Sequence, residues 1–369
     1  MTSRSEELDA TTSGAQLLIE TPIAGGRRIG AGVIPPESVE AKRSCTAGGA
    51  PPRILPVDDG PRPFWSVMIP VYNCPDRYLR ATLLSVLSQD PGPSEMQIEV
   101  IDNCSTEGDV EKLVQEIGGG RIAFFRQPMN LGIVGNFNSC VQRSRGQWVQ
   151  ILHGDDVVRP GFYARTREGI EQHPEVAAAF CRLIYIDQDG HWLGISDLEI
   201  PARGVLDPGF ADRELIDQRI QFVSIVVRRS TYEELGGFRA SLAHCLDWDM
   251  WKRIAVRKPI FFDPEPLACF RLHAGADTSQ LVTSGENVAD ERRSIDISCA
   301  CDVPATRRSQ IKRVARRAAG VRAARLARRL WKAGHAAASL RQAIEAVRCS
   351  RSPAVLARVA YFMASAIVH

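Results

Sequence analysis

Four apolar runs of strand length, PFWSVMIPVYN, MQIEVIDN, RIAFFRQ and QWVQILHGDD, constrain this chain more than any other feature. Segments of helix length separate them. Tyr78 to Gln89 puts Leu79, Leu83, Val86 and Leu87 on one helical face, and Val110 to Ile117 and Gly135 to Ser144 read as two further helices. Strands alternating with helices at this spacing predict an α/β fold, a Rossmann-like, mostly parallel sheet flanked by helices on both faces. Ligands in such sheets gather at the carboxyl ends of the strands, where these runs place their polar clusters.

Residues 1–63 contain no Phe, Tyr or Trp and are rich in Gly, Pro, Ser and Ala, so they are expected to form a disordered leader. Order is expected from Phe64, with a body over 64–302 divided at about residue 160. In the second half, Asp189-Gly190 predicts a hairpin turn between Ala177–Ile186 and His191–Ile195. Phe222–Arg228 reads as a strand, Asp247–Val256 as a short helix and Pro259–Phe270 as an extended return. Residues 303–369 form an Ala- and Arg-rich tail of helical propensity.

The formal charge of +3 hides a split: the tail carries +14 and residues 1–302 carry −11. Ile311, Val314, Ala318 and Val321 recur at helical spacing among the tail's arginines, a pattern suited to an anionic membrane surface. A helix packed on the acidic body fits nearly as well. No module for reading bases is present, so no nucleic-acid partner is expected. Apolar stretches such as Val359–Val368 fall short of the ~18 to 20 residues of a membrane span. With no secretory signal at the start, a cytoplasmic location is expected, peripheral on the inner face of the membrane if the tail binds lipid. The cysteines are then expected to be thiols, and zinc is not expected.

SVMIPVYN, VIDNCST, NLGIVGNFN, QILHGDDVVRPGFY, ELGGFRASL, LDWDMWKRIA and FRLHAGADTS resemble, in order and spacing, the inverting family 2 glycosyltransferases of the GT-A fold. The resemblance covers Phe64 to about Gln280. It implies a nucleotide-binding half over 64–160 and an acceptor half over 161–302. It also implies a metal-dependent hexosyltransferase that uses a nucleoside-diphosphate sugar and Mn²⁺ or Mg²⁺, acting on a saccharide or lipid-linked acceptor in polysaccharide biosynthesis at the cell surface.

Residue by residue, the resemblance implies that Pro70, Tyr72, Asp102, Asn103, Asn130, Asp155 and Asp156 form the nucleotide site. Asn in place of the family's frequent Asp at 103 still accepts a pyrimidine N3 hydrogen through its carbonyl, which keeps UDP- or dTDP-linked donors in view. Asp102 can instead lock the loop backbone. His153, Gly154 and Asp155 stand where the family has Asp-x-Asp, so Asp155, beside Asp156, is the expected metal ligand, joined by His273. His153 departs from the pattern and is open to sugar contact or packing. Arg271 is a second phosphate candidate.

Asp247 is the implied general base. Asp249, about 200° around the helix, cannot share its face, and Trp248 and Trp251 are expected to pack, with Trp251 also open to a role as a sugar platform. Taken singly, each acid also reads as a turn or helix cap. A different class of protein, a non-catalytic nucleotide-sugar binder tethered by its tail, is motivated by His153 and Asn103. A P-loop ATPase is disfavoured because NLGIVGNFN lacks the lysine.

Overall fold

The computed structural model describes residues 48–57, 60–273 and 277–367. All seven residues of the first run's strand, β1 (Trp65–Val71), are buried, as a strand covered on both faces requires. It is followed by α1 (Asp76–Leu87), β2 (Met96–Asp102), α2 (Val110–Gly118), β3 (Ala123–Arg126), α3 (Gly132–Arg143) and β4 (Trp148–Ile151), the alternation expected. Next come β5 (Val157–Val158), α4 (Phe162–Gln172), β6 (Ala178–Ile186), β7 (Trp192–Ile195), β8 (Gly204–Val205), α5 (Phe210–Ile216), β9 (Ile225–Arg228), α6 (Arg229–Leu235), α7 (Leu246–Ala255) and β10 (Ile260–Arg271).

These strands form one sheet in the order β3-β2-β1-β4-β9-β6-β10-β5, with β7 beside β6 and β8 beside β10. The strands β3, β2, β1 and β4 run parallel. β9 enters antiparallel between β4 and β6, and β10 returns parallel to β6. Chain order reverses on either side of β1, so its carboxyl end is the switch point where such sheets open a crevice. One apolar cluster, including Val67, Leu83 and Phe261, fills one face of the sheet, and another, including Met68, Phe137, Phe222 and Trp251, fills the other.

The leader expected as disordered lies outside the described residues up to residue 47. From residue 48 it packs on the body. Ile54 is buried in the second cluster, the Arg229 guanidinium donates to the Leu55 carbonyl at 3.1 and 3.2 Å, and Gly237 N donates to the Pro52 carbonyl at 2.8 Å. Among the described residues eight cysteines are free thiols, but Cys301 is disulfide-bonded, which departs from the all-thiol expectation.

After α8 (Asp277–Ser284) and α9 (Glu286–Cys301), the tail forms α10 (Ala305–Lys332), α11 (Ala336–Cys349) and α12 (Pro353–Ile367). The tail is helical as expected, yet α10 is not a free basic stripe. It buries Ile311, Ala315, Ala319, Ala323, Ala327 and Leu330, a line of mostly small residues one helical turn apart, while Val314, Ala318 and Val321 are only half-buried. Four of its cations pair with acids outside the helix, among them Arg322 with Asp217 at 2.8 Å and with Glu291, Arg307 with Asp212, and Lys312 with Asp296 at 3.0 Å. Part of the charge attraction between tail and body is therefore met inside the fold. Among the described residues no helix is long and apolar enough to cross a membrane.

At Gly320 the helices α10, α11 and α12 pack close together. A Cβ there would lie 2.9 Å from the Ala346 carbonyl oxygen and 3.0 Å from a Val355 methyl. Gly320→Val is expected to lower stability by about 1–3 kcal/mol through overpacking, read as a lower urea midpoint. An unchanged midpoint would mean that the three helices do not pack this closely.

Candidate functional site

The ends of β1 and β2 are held in conformations that side chains rarely adopt. Asn73 and Cys104 have φ of 49° and 63°, in the left-handed region. Asn73 repays the strain with hydrogen bonds, its Oδ1 accepting Thr106 N at 2.8 Å and Glu107 N at 3.2 Å. The two strand ends are thus tied together, and strain of this kind concentrates at functional sites.

Beside them opens a cavity of about 390 Å³, walled by Pro70–Pro75, Asn103, Asn130, the first turns of α3, His153–Asp155 and His273. Of the expected nucleotide residues, Pro70, Tyr72, Asn103, Asn130 and Asp155 line it. Asp102 and Asp156 do not. Asp102 is fully buried, its Oδ1 accepting Ser105 N at 3.0 Å and its Oδ2 meeting Arg126 at 2.5 Å, so it locks the loop after β2. Asn103 braces the opposite loop: its Oδ1 accepts Leu131 N at 2.9 Å, and its Nδ2 donates to Asn130 Oδ1 at 2.9 Å and to the Gly132 carbonyl at 3.3 Å. Both amide hydrogens are used, leaving one carbonyl lone pair for a ligand.

The loop after β4 is pinned from below. Thr82 Oγ donates to the Gly154 and Asp156 carbonyls at 2.9 and 2.7 Å. A Cβ at Gly154 would come within 2.8 Å of Val71, which demands glycine between His153 and Asp155. Asp156 Oδ1 accepts Arg271 N at 2.8 Å, while the Arg271 side chain donates to the Asp155 carbonyl at 2.9 Å and the Asp187 carbonyl at 3.1 Å. Arg271 is therefore a strut and not the free phosphate ligand expected.

The strut brings His273 Nε2 to 2.9 Å from Asp155 Oδ2, joining the two residues expected to hold metal. Burial pushes the Asp155 carboxyl up, but the His273 hydrogen bond and the two nearby imidazoles outweigh it and hold it below the usual range. Asp156 goes the other way, raised by burial and then by the Asp155 charge. Asp156 Oδ2 is buried with no hydrogen-bond partner, and donor atoms of His153, Asp155 and Asp156 lie within 4.8 Å of one another. Carboxylates joined by imidazole fit a divalent cation of the manganese type. The His153 ring stacks on Phe137 at 5.2 Å, so it also packs.

Asp247 is not among the cavity-lining residues. Phe222 connects the two places, its ring 4.9 Å from His153 and 5.4 Å from Trp251, one turn beyond Asp247 on α7. Asp247 sits in the first turn of α7 and not at the cap, which is Cys245. It accepts Trp248 N at 2.6 Å and Gln218 Nε2 at 2.7 Å. Burial dominates these bonds and raises its carboxyl to about 7. Asp249 points into the core, where its Oδ2 accepts from Arg253 at 2.9 Å and Arg239 at 3.2 Å. Trp248 and Trp251 are buried packing residues, as expected. The sequence reading missed Gln218, which approaches from a loop with no local pattern, and the site role of Phe222, which stood in an expected strand and instead opens a 3-10 turn, Phe222–Ser224. Ile133, Asn136 and Phe137 were also missed, although they follow Gly132 on the same motif.

Residues 66–229 match the family model described as Glycosyl transferase family 2, a span that ends before Asp247 and His273. The chain is similar to an uncharacterized protein of Mycobacterium tuberculosis, 26% identical over 63% of this chain and 74% of the relative. An uncharacterized glycosyltransferase of Methanocaldococcus jannaschii is 24% identical over 52% of this chain and 64% of its own length, just under two thirds. Among solved structures, S. aureus TarS 1-349 in complex with UDP-GlcNAc matches with a TM-score of 0.52 at 14% identity, over 76% of this chain and 90% of that one. The mannosyltransferase PcManGT from Pyrobaculum calidifontis in complex with GDP-Man and Mn²⁺ matches with a TM-score of 0.52 at 17% identity, over 85% and 90%. At these identities the likeness is one of fold.

The two acids of α7 are expected to separate in stability measurements. Asp249→Asn leaves two buried guanidinium groups without their carboxylate and should lose about 3–5 kcal/mol. For Asp247 the folded-state value lies above the unfolded one, so its contribution to stability is present at low pH and lost as pH rises through about 7. Asp247→Asn should therefore gain on the wild type between pH 5 and 8. Urea unfolding at both pH values checks each expectation; equal losses at both positions would contradict them.

Proposed function

We propose that this chain, whose residues 66–229 belong to glycosyl transferase family 2, moves a sugar from a nucleoside-diphosphate donor to a saccharide or lipid-linked acceptor with inversion at the anomeric carbon. The observation that carries the reading is the meeting of Asp155 and His273, 118 residues apart in sequence, at 2.9 Å on the wall of the switch-point cavity. Asp155 and His273, with Asp156 and His153 alongside, would hold a divalent cation, which when bound supplies positive charge for the departing diphosphate.

The rest of the work falls to the chain's own groups. Tyr72 and the Asn103–Asn130 wall bound the space for the nucleoside. Asp247 takes the acceptor's hydroxyl proton as the acceptor oxygen bonds to the anomeric carbon, and the bond from that carbon to the diphosphate oxygen breaks with its electron pair leaving on the nucleoside diphosphate. Gln218 steadies Asp247 in its charged form. TarS holds a uridine and PcManGT a guanosine nucleotide, so the neighbours leave the base open. The remaining Asn103 lone pair supports a base with an N–H on that edge, which uracil and thymine provide. Surface-glycan assembly and a peripheral position at the inner face of the cell membrane belong to the same proposal.

A donor screen with UDP-, dTDP- and GDP-sugars and Mn²⁺, scored by nucleotide release and acceptor transfer, tests the reading. Asp247→Asn should cut transfer by ~10² to 10⁴-fold while leaving donor affinity near wild type. Because Asp247 must be ionised to accept a proton, kcat/KM should show an acid limb near 7. Gln218→Leu removes a donor to the carboxylate and should move that limb to higher pH. No turnover with any donor, alongside intact nucleotide binding, would favour a binding protein.

A further inference from the structure

We infer that α12 (Pro353–Ile367), and not the long basic helix α10, is the element that seats this protein on an anionic membrane, with its apolar outer face in the lipid boundary. The inference rests on the peripheral placement proposed above.

The helix has two unlike sides. Val355 and Phe362 point inward at 0% and 2% exposure, and the Phe362 ring meets Trp331 of α10 edge-on at 5.8 Å. The other side shows Leu356, Tyr361 and Met363 at 43%, 62% and 42% exposure, with Ala357, Ala360 and Ala364 exposed between them. Leu356, Ala360 and Met363 fall at i, i+4, i+7, and Ala357, Tyr361 and Ala364 repeat the spacing one residue on, so the exposed apolar surface is continuous along the helix. Single exposed apolar residues are ordinary, but a continuous face of this kind marks an interaction surface.

Charge selects the occupant. No acid follows Glu345 in the chain. The cations on and around α12 are Arg351, Arg358 and Arg328, the last 5.4 Å from the centroid of the Tyr361 ring. Among the described residues none of the three has a carboxylate within ion-pair distance; α10 pairs Arg307, Lys312, Arg316 and Arg322 with the body and leaves Arg313, Arg317 and Arg325 exposed, but unlike α12 it shows no large exposed apolar side chain beside them. A short apolar face edged by unpaired arginines complements a leaflet of anionic headgroups over acyl chains. With 15 residues the helix is too short to span the ~30 Å hydrocarbon core, so it lies in the interface plane.

The test is co-sedimentation of the full chain with vesicles of phosphatidylglycerol and phosphatidylcholine, compared with phosphatidylcholine alone. Wild type should bind the anionic vesicles, with affinity reduced but not abolished by high salt because the apolar face contributes. The triple variant Leu356→Glu, Tyr361→Glu, Met363→Glu leaves the inward side untouched and should lose at least tenfold in binding with its melting curve preserved. Arg307→Gln, on α10, should bind as wild type does. If the triple variant unfolds, Tyr361→Trp serves instead: brominated lipid should quench its added fluorescence. Absence of wild-type binding would sink both the inference and the peripheral placement. Binding retained by the triple variant, or an added indole left unquenched when the Tyr361→Trp protein is bound, would overturn the role of α12 while leaving the placement standing. Self-association lost in the variant, with no vesicle binding, would assign the face to a second copy of the chain and overturn the inference.

Discussion

The hydrogen bonds of Arg271 hold the candidate site together. Its backbone N–H meets Asp156 and its guanidinium reaches the carbonyls of Asp155 and Asp187, so one residue joins the ends of β4, β6 and β10. The Arg271 guanidinium also lies over the Tyr78 ring, 4.6 Å from its centroid, which fixes the joint to α1. A carboxylate and an imidazole can share one ligand only if their backbones are fixed to within a fraction of an ångström, and two residues past this joint is where His273 arises. The strained turns at Asn73 and Cys104 complete the frame from the β1 and β2 side.

The first half of the molecule was legible because its code is local. Continuous apolar runs forecast β1, β2 and β4, and the polar residues at their ends forecast the cavity wall from Pro70 through Asp155. What did not show was how polar side chains divide between ligand and scaffold. Asp102, Asn103 and Arg271 sit in the expected places, yet their hydrogen bonds go largely to backbone groups of neighbouring loops. Those partners lie 3 to 116 residues away, beyond any spacing rule. Gln218 was invisible for the same reason, since nothing in DQRIQ announces that its amide will meet Asp247.

The tail shows a different limit. Counting arginines identified its charge but not its direction. The alanine line of α10 and the bare Gly320 decide which side turns inward, and they put Arg316 and Arg322 against Asp296, Asp217 and Glu291. The composition of the first residues likewise suggested a leader without structure, whereas the stretch around Ile54 is held by buried Arg229 and by Arg239, themselves on the body. In both segments the deciding term is a long-range hydrogen bond or ion pair that fixes an intrinsically weak local preference.

The central claim is that the ends of β1, β4 and β10 form one site for a nucleoside diphosphate and a divalent cation. A crystal structure of the protein soaked with UDP and Mn²⁺, with the manganese located by its anomalous signal, tests it most directly. The account expects the peak between Asp155 and His273, with the diphosphate across the cavity beside Tyr72. A peak at the surface turn of Asp187, Asp189 and His191, the second group of close donor atoms among the described residues, with the cavity empty, would contradict it.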